Sequence, residues 1–178
     1  PSAYLKTNVE GTYNVLEASR RAGVKRVVFA SSNHATGLYE NDYPYSDIVA
    51  GFYDGLDSNS IPLVDTTMPV RPDGPYGIGK IVGEVAGRYY SERYGLSVIC
   101  LRIGTVNREN RPLMPRHFST LLTHRDLINL VISSLEAPSK LTFAIFYGVS
   151  NNTWRFWDIS DSEQTLGYSP KDNAESWR

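Results

Sequence analysis

The chain has 178 residues, of which 41% are hydrophobic and 21% are charged, and these values are typical of a single domain with an ordinary apolar core. The formal net charge of -1 argues against a nucleic acid or a charged membrane surface as a partner recruited by bulk charge. No apolar stretch has the length of a bilayer span, so we expect no membrane association. The single cysteine, Cys100, lies in an apolar run, and we interpret it as a small buried side chain in a reducing, cytoplasmic setting.

The first part of the sequence predicts a helix and then a strand. Residues 3–21 carry apolar side chains at helical spacing, and Gly23 follows as a stop signal. The unbroken apolar run at residues 27–30 indicates a strand over residues 26–31, of the kind that is covered on both faces in a parallel sheet. The apolar face predicted for the helix consists of Leu5, Val9, Tyr13, Leu16 and Ala18.

Polar side chains follow this strand directly, in the order Ser31, Ser32, Asn33 and His34. Ligands of open α/β sheets bind outside the carboxyl ends of the strands, so this cluster is a candidate site. A strand-end cap or a turn is the simpler interpretation of each residue taken alone. For His34 by itself a structural role is the default.

Residues 36–72 form a long stretch that is rich in glycine, proline and aromatic residues. Long loops in compact domains are usually either functional or disordered, and the aromatic content argues against wholesale disorder. We predict that part of this stretch packs as a flap near the site.

A helix over residues 75–94 carries Tyr76 and Lys80, with proline in its first turn and Gly95 at its end. Residues four apart lie on one face of a helix, and an ammonium group beside a phenol favours the phenolate. The pair could therefore act as a general base that takes a proton from a sugar hydroxyl. An ordinary surface pair is the default interpretation of this spacing when it stands alone.

The same helix has glycine at every fourth position, at Gly79, Gly83 and Gly87. An interior glycine costs about 1 kcal/mol relative to alanine, so close packing should compensate for each of them. Packing against the sheet is the simpler explanation. A contact between the helices of two subunits in a homodimer is the alternative.

The second half of the sequence predicts a strand within residues 96–106, a helix over 125–136, a strand over 142–149 and a helix over 154–166. Arg102 lies inside the first of these strands and, as a buried charge, requires a partner. The irregular segment 107–123 carries Arg111 and Arg116, whose forked guanidinium groups suit a carboxylate or a phosphate. The alternation of helices and strands predicts an α/β fold with a mostly parallel sheet.

Several runs resemble the extended short-chain dehydrogenase/reductase superfamily, also described as the NAD-dependent epimerase/dehydratase family. They are residues 8–18, residues 28–32, the Tyr76/Lys80 pair and residues 166–173. Within this superfamily the chain is most similar to uronate dehydrogenases and to archaeal NAD-dependent glucose-6-phosphate dehydrogenases, through residues 31–37, 71–77, 102–105 and 147–152. Residues 39–65 are more similar to the second group.

The resemblance implies a role for each site residue. Tyr76 would be the catalytic base, Lys80 would hold the nicotinamide ribose and promote ionisation of the phenol, and Ser32 would hydrogen-bond the reacting oxygen. Asn8 would support a proton relay. The other implied residues are Asn33, His34, Thr105 and Arg116 for the substrate, with Arg111 as a rival of Arg116 for the carboxylate, and Ile103 and Val106 for NAD.

The reaction implied by the resemblance is oxidation of the C1 hydroxyl of a hexuronic acid to an aldonolactone, with NAD or alternatively NADP. The alternatives are glucose 6-phosphate as substrate, a nucleotide-sugar epimerase or dehydratase, and a non-catalytic binding module.

The implied architecture is a partial Rossmann-like, doubly wound parallel sheet in one domain over residues 1–178. A small C-terminal part would bind the substrate through elements within about residues 105–124 and 138–178. The Gly-rich turn that holds the pyrophosphate in this superfamily is not in the sequence. We therefore expect that an N-terminal portion of roughly half a Rossmann fold is missing from the chain.

Overall fold

Three parallel strands form the centre of the computed structural model, which describes residues 2–178. They are β1 (Arg26–Ser32), β2 (Ser97–Ile103) and β3 (Phe143–Gly148), in the spatial order β1-β2-β3. Their register aligns Ser32, Ile103 and Gly148 at the carboxyl ends. The strand ends therefore meet along one edge of the sheet.

Helices connect and cover these strands. They are α1 (Ser2–Leu5), α2 (Thr12–Arg21), α3 (Tyr45–Ala50), α4 (Pro75–Tyr94), α5 (His117–Thr120), α6 (His124–Glu136) and α7 (Ser160–Leu166). A π-helical segment, Lys6–Gly11, joins α1 to α2, and short 3₁₀ segments occupy Asn33–Ala35, Gly37–Asn41 and Ala174–Trp177. The predicted α/β order is confirmed.

Alternate side chains of β2 enter two separate hydrophobic cores, one on each face of the sheet. Cys100 shares one core with Leu16 of α2 and Tyr90 of α4, whereas Ile99 shares the other core with Leu130 of α6. Cys100 is a free, fully buried thiol, and burial raises its pKa. The interpretation of Cys100 as a small buried side chain is confirmed.

The bounds of α4 are those predicted. Pro75 occupies the first turn, where its fixed backbone angle suits a helix, and Gly95 ends the helix in the left-handed conformation with φ of 72°.

The glycines of α4 face the chain's own atoms. A Cβ atom at Gly83 would lie 2.3 Å from Phe29 Cζ, and one at Gly79 would lie 2.8 Å from Asn8 Cβ. A Cβ atom at Gly87 would likewise lie 2.8 Å from a side-chain atom of β2. Close packing within the chain therefore accounts for all three glycines.

Arg102 has the partner that its position in a strand requires. Its Nε and Nη2 donate to Glu84 Oε1 and Oε2, both at 2.9 Å, and its Nη1 donates to Tyr147 Oη at 3.2 Å. Ser31 Oγ donates to the same Glu84 carboxylate at 2.6 Å, and the Tyr147 hydroxyl bonds Thr36 Oγ1 at 2.9 Å. We call these five residues the buried polar network.

The predicted apolar face of the first helix is only partly correct. Leu16 is buried, but Leu5 and Tyr13 are 49% and 52% exposed, and Ala18 is exposed as well. The reason is that α2 enters the core through a narrow strip around Leu16, while Tyr13 makes an edge contact with the ring of Tyr90.

Strand β1 is less covered than predicted. Val27, Val28 and Phe29 are half-buried and Ala30 is exposed, whereas the inner part of β2 is buried. Within residues 2–178, β1 pairs with a strand on one side only, which explains the difference.

Only part of residues 36–72, which contain α3, packs into the core, whereas Tyr43 and Phe52 are 73% and 68% exposed. That this part forms a flap near the site stays a prediction. Ile48 and Val64 are fully buried. The helix predicted over residues 154–166 is wrong in its first half, because only Ser160–Leu166 is helical. The preceding residues are not helical. Phe156 O accepts a hydrogen bond from Val64 N at 2.7 Å, and Trp157 is fully buried in the core.

We predict that Glu84→Gln lowers the free energy of unfolding by about 3–5 kcal/mol, because it leaves the buried Arg102 charge without a carboxylate. Urea denaturation of the chain measures this loss. Glu92→Gln is the matched control, since the Arg88–Glu92 pair on the same helix is 60% and 66% exposed and should contribute under about 1 kcal/mol. Equal, small losses in both variants would contradict the assigned role of the network.

Candidate active site

The polar cluster after β1 lies at the carboxyl edge of the sheet. Ser32 and Asn33 are 5% and 2% exposed, and Ser32 Oγ accepts a hydrogen bond from His34 N at 3.2 Å. Asn33 Nδ2 is buried and has no hydrogen-bond partner within residues 2–178. Within the described residues, Asn33 Nδ2 is therefore a hydrogen-bond donor without a protein acceptor.

His34 links this cluster to the start of α4. Its Nδ1 is hydrogen-bonded to Asp73 Oδ2 at 2.5 Å, and its ring makes an edge contact with the ring of Tyr76 at a centroid distance of 5.7 Å. Gly77 permits this contact, because a Cβ atom there would lie 2.2 Å from the carbonyl oxygen of His34. The structure therefore brings His34 and Tyr76 together, as the sequence predicted for one site.

Asp73 was missed as an individual site residue. Asp73 lies 39 residues after His34, so no helical or strand spacing relates the two residues. The only sequence signal for Asp73 is its place in the run 71–77, which contains Tyr76. Its carboxylate fixes the orientation of the His34 ring and leaves Nε2 for another partner.

Tyr76 and Lys80 lie on one face of α4, as their spacing predicted. The Lys80 ammonium lies 5.3 Å from the centroid of the Tyr76 ring and donates to the carbonyl oxygen of Ala30 at 2.8 Å. Burial lowers the pKa of Lys80. Tyr76 is 38% exposed, so the phenol remains accessible from the sheet edge.

A second group of the predicted site residues lies at and after the end of β2. Thr105 Oγ1 bonds Thr120 Oγ1 at 2.8 Å and accepts a hydrogen bond from Arg116 Nη1 at 3.3 Å. Ile103 is partly buried, and Val106 is 39% exposed. The two residues expected beside NAD thus lie on either side of Thr105 along the chain.

Arg116, and not Arg111, is the arginine that the structure places beside Thr105. Arg111 is exposed, and its backbone N–H donates to Asn107 Oδ1. The Arg116 guanidinium is held on its other side by Glu40, through Nε to Oε2 and Nη2 to Oε1, both at 2.6 Å. No role was predicted for Glu40, because 76 residues separate it from Arg116 and no sequence motif relates them.

Asn8 lies in the π-helical segment and packs against Gly79 of α4. Its Nδ2 is buried without a hydrogen-bond partner in the described part of the chain. The role expected for Asn8 in a proton relay stays a prediction.

Residues 2–178 contain no group of three or more histidine, cysteine, aspartate or glutamate side chains that could hold a metal ion. Over the same residues, no helix has the length and apolar character needed to cross a membrane.

The parallel sheet with covering helices and a polar carboxyl edge defines a partial Rossmann-like α/β fold. A sequence profile of the NAD dependent epimerase/dehydratase family matches residues 1–131. The chain belongs to this family.

Individual relatives agree with this membership. The chain is 35% identical over 174 residues to a uronate dehydrogenase of Pseudomonas putida, covering 98% of the chain and 56% of the relative. It is 33% identical over 172 residues to an NAD-dependent glucose-6-phosphate dehydrogenase of Haloferax volcanii, covering 96% of the chain and 62% of that protein. The crystal structure of uronate dehydrogenase from Agrobacterium tumefaciens superposes with a TM-score of 0.78 at 34% identity, covering 98% of the chain and 57% of that structure. The chain thus spans a little over half the length of these relatives.

We predict that Gly77→Ala lowers the free energy of unfolding by about 1–3 kcal/mol, because the added Cβ atom overlaps the His34 carbonyl oxygen. Thermal or urea unfolding measures this loss, and Gly74→Ala is the matched control because open space surrounds its Cβ position. If Gly77→Ala were as stable as the control, the close approach of α4 to the polar cluster would be incorrect.

Proposed function

We propose that the chain forms part of an NAD-dependent dehydrogenase that oxidises the C1 hydroxyl of a hexuronic acid to the aldonolactone. The observation that carries the proposal is the contact between Tyr76, which has Lys80 beside its ring, and His34, which directly follows Ser32 and Asn33 at the end of β1. An accessible phenol next to hydrogen-bonding groups is the arrangement that general-base catalysis on a hydroxyl requires. Similarity to uronate dehydrogenases supports a sugar acid as the substrate class.

The residues present fit a nicotinamide ribose. Within residues 2–178 the Lys80 ammonium has one hydrogen-bond partner, the Ala30 carbonyl, so two of its three donors remain for ribose hydroxyls. Ile103 and Val106 offer apolar surface at the same edge of the sheet. When bound, NAD would supply the chemistry that accepts the hydride from C1.

In the proposed reaction Tyr76 takes the proton from the C1 hydroxyl. The Lys80 ammonium, 5.3 Å from the centroid of the Tyr76 ring, places a positive charge beside this proton acceptor. Ser32 Oγ hydrogen-bonds the same substrate oxygen and holds it near Tyr76. As the C1–H bond breaks, the oxygen becomes the carbonyl oxygen of the lactone.

The remaining residues orient the sugar. Asn33 Nδ2, which has no protein partner in the described residues, donates to a ring hydroxyl, and His34 Nε2 contacts a second hydroxyl. Thr105 lies beside the sugar, and Arg116 meets its carboxylate. Besides the cluster after β1, the elements that bind the substrate would fall within about residues 105–124 and 138–178 of a single domain.

A second candidate substrate is glucose 6-phosphate. It is favoured by the 33% identity of the chain to the NAD-dependent glucose-6-phosphate dehydrogenase of Haloferax volcanii. An arginine fork binds phosphate and carboxylate alike, so Arg116 suits either substrate.

The experiment that tests the function is NADH formation by the full-length gene product, followed by absorbance. The substrates are galacturonate, glucuronate, glucose 6-phosphate and UDP-glucose. We predict turnover with a hexuronate. Turnover with the sugar phosphate alone would replace the proposal by the second candidate, and absence of NADH with every sugar would contradict both.

The same assay on the Tyr76→Phe variant tests whether Tyr76 is the general base. Loss of the proton acceptor should reduce kcat by about 100-fold to 10,000-fold, which is the usual contribution of a general base. Tyr94→Phe, a change of the same kind at the exposed end of α4, should leave kcat unaltered. Equal activity of the two variants would exclude Tyr76 as the base.

We further propose that two copies of the chain associate through the outer face of α4. Ile78, Val82, Val85 and Tyr89 are exposed on this helix, at 47%, 36%, 65% and 50%. Exposed apolar groups that form a contiguous patch are typical of a protein–protein contact.

The association predicts twice the mass of one chain in light scattering coupled to gel filtration. Val85→Glu should place a charge in the interface and give the mass of a single chain. Ile132→Glu on α6 is the control, since Ile132 is also exposed, at 46%, but lies on another helix. A single-chain mass for the unsubstituted protein would overturn the proposal.

A further inference from the structure

Glu40 and Arg116 form a bidentate, mostly buried ion pair at the place proposed for the carboxylate of the sugar. Both N···O distances are 2.6 Å, and the side chains are 13% and 23% exposed. A bidentate pair of this kind uses the Nε/Nη2 edge of the guanidinium fully. Thr105 Oγ1 accepts a third hydrogen bond, from Nη1.

The pair changes the charge that the site presents. A free arginine offers a full positive charge to a carboxylate, whereas Arg116 and Glu40 together are neutral. A hexuronate that approaches Arg116 also approaches the Glu40 carboxylate, and two carboxylates repel each other at short distance. A neutral sugar, which ends in a hydroxyl at C6, meets no such repulsion.

Glu40 lies a short distance along the chain from the polar cluster that follows β1. Glu40 lies in the 3₁₀ segment Gly37–Asn41, which begins directly after Asn33–Ala35 and Thr36. The buried Thr36 anchors this segment to Tyr147 of the polar network. The carboxylate is therefore held at the site by the fold and is not a mobile surface group.

We propose that Glu40 is a specificity-determining residue, which neutralises Arg116 and thereby weakens the preference of the site for an acidic over a neutral sugar. The inference rests on the proposed function, because it concerns the same sugar site. It extends the range of substrates to neutral aldoses that differ from the hexuronate only at C6.

The test compares D-galacturonate with D-galactose, which differ at C6 alone. Glu40→Gln keeps the shape of the side chain and one acceptor for Arg116 but removes the negative charge. We expect the ratio of kcat/KM for galacturonate to that for galactose to rise about tenfold, mainly through a lower KM for the acid. Glu136→Gln, the same charge change at the end of α6, should leave the ratio unchanged.

Binding provides a readout that does not depend on turnover. Titration of each sugar into the full-length gene product, followed by NMR, should show tighter galacturonate binding in Glu40→Gln and unaltered galactose binding. Weaker or equal galacturonate binding would overturn the inference, even if the enzyme oxidises hexuronates. Tighter galacturonate binding without NADH formation from any sugar would sustain the inference and refute the proposed dehydrogenase activity.

Discussion

The ion pair between Arg102 and Glu84 is the interaction on which the geometry of the site depends. Its side chains are 2% and 4% exposed, so both charges have lost nearly all of their water. Such a pair offsets its desolvation only when the remaining donors and acceptors are also bonded, and Ser31 and Tyr147 meet this requirement. Because Arg102 belongs to the central strand and Glu84 to α4, the pair fixes this helix against the sheet.

The position of α4 in turn determines where Tyr76 lies. Glu84 follows Tyr76 by eight residues, which corresponds to roughly 12 Å along a helix. A displacement of α4 would separate Tyr76 from His34, whose rings are 5.7 Å apart, and would move Lys80 away from the Ala30 carbonyl. The buried polar network therefore supports the candidate site, in which Tyr76 is 38% exposed.

Local signals and the parallel sheet were enough to predict much of this arrangement. Pro75 and Gly95 predicted the two ends of α4 correctly. In the parallel sheet, Ser32 at the end of β1 lies beside Ile103 at the end of β2, so the residues that follow the two strands begin at the same edge. Two of the differences have a common physical cause, which is contact between residues far apart in sequence. Trp157 is not helical because it packs in the core and forms a β-bridge with Val64. Glu40 forms an ion pair with Arg116, although 76 residues separate them in the sequence.

The proposed reaction moves a hydride from C1 of a sugar to NAD, and an isotope label at C1 follows this transfer. The full-length gene product would be incubated with NAD and D-galacturonate that carries deuterium at C1, and the reduced cofactor would be examined by proton NMR. We expect one deuterium at C4 of the nicotinamide ring, with none released to water. Reduced cofactor without deuterium, or recovery of a sugar epimerised at another carbon with no reduced cofactor, would contradict it.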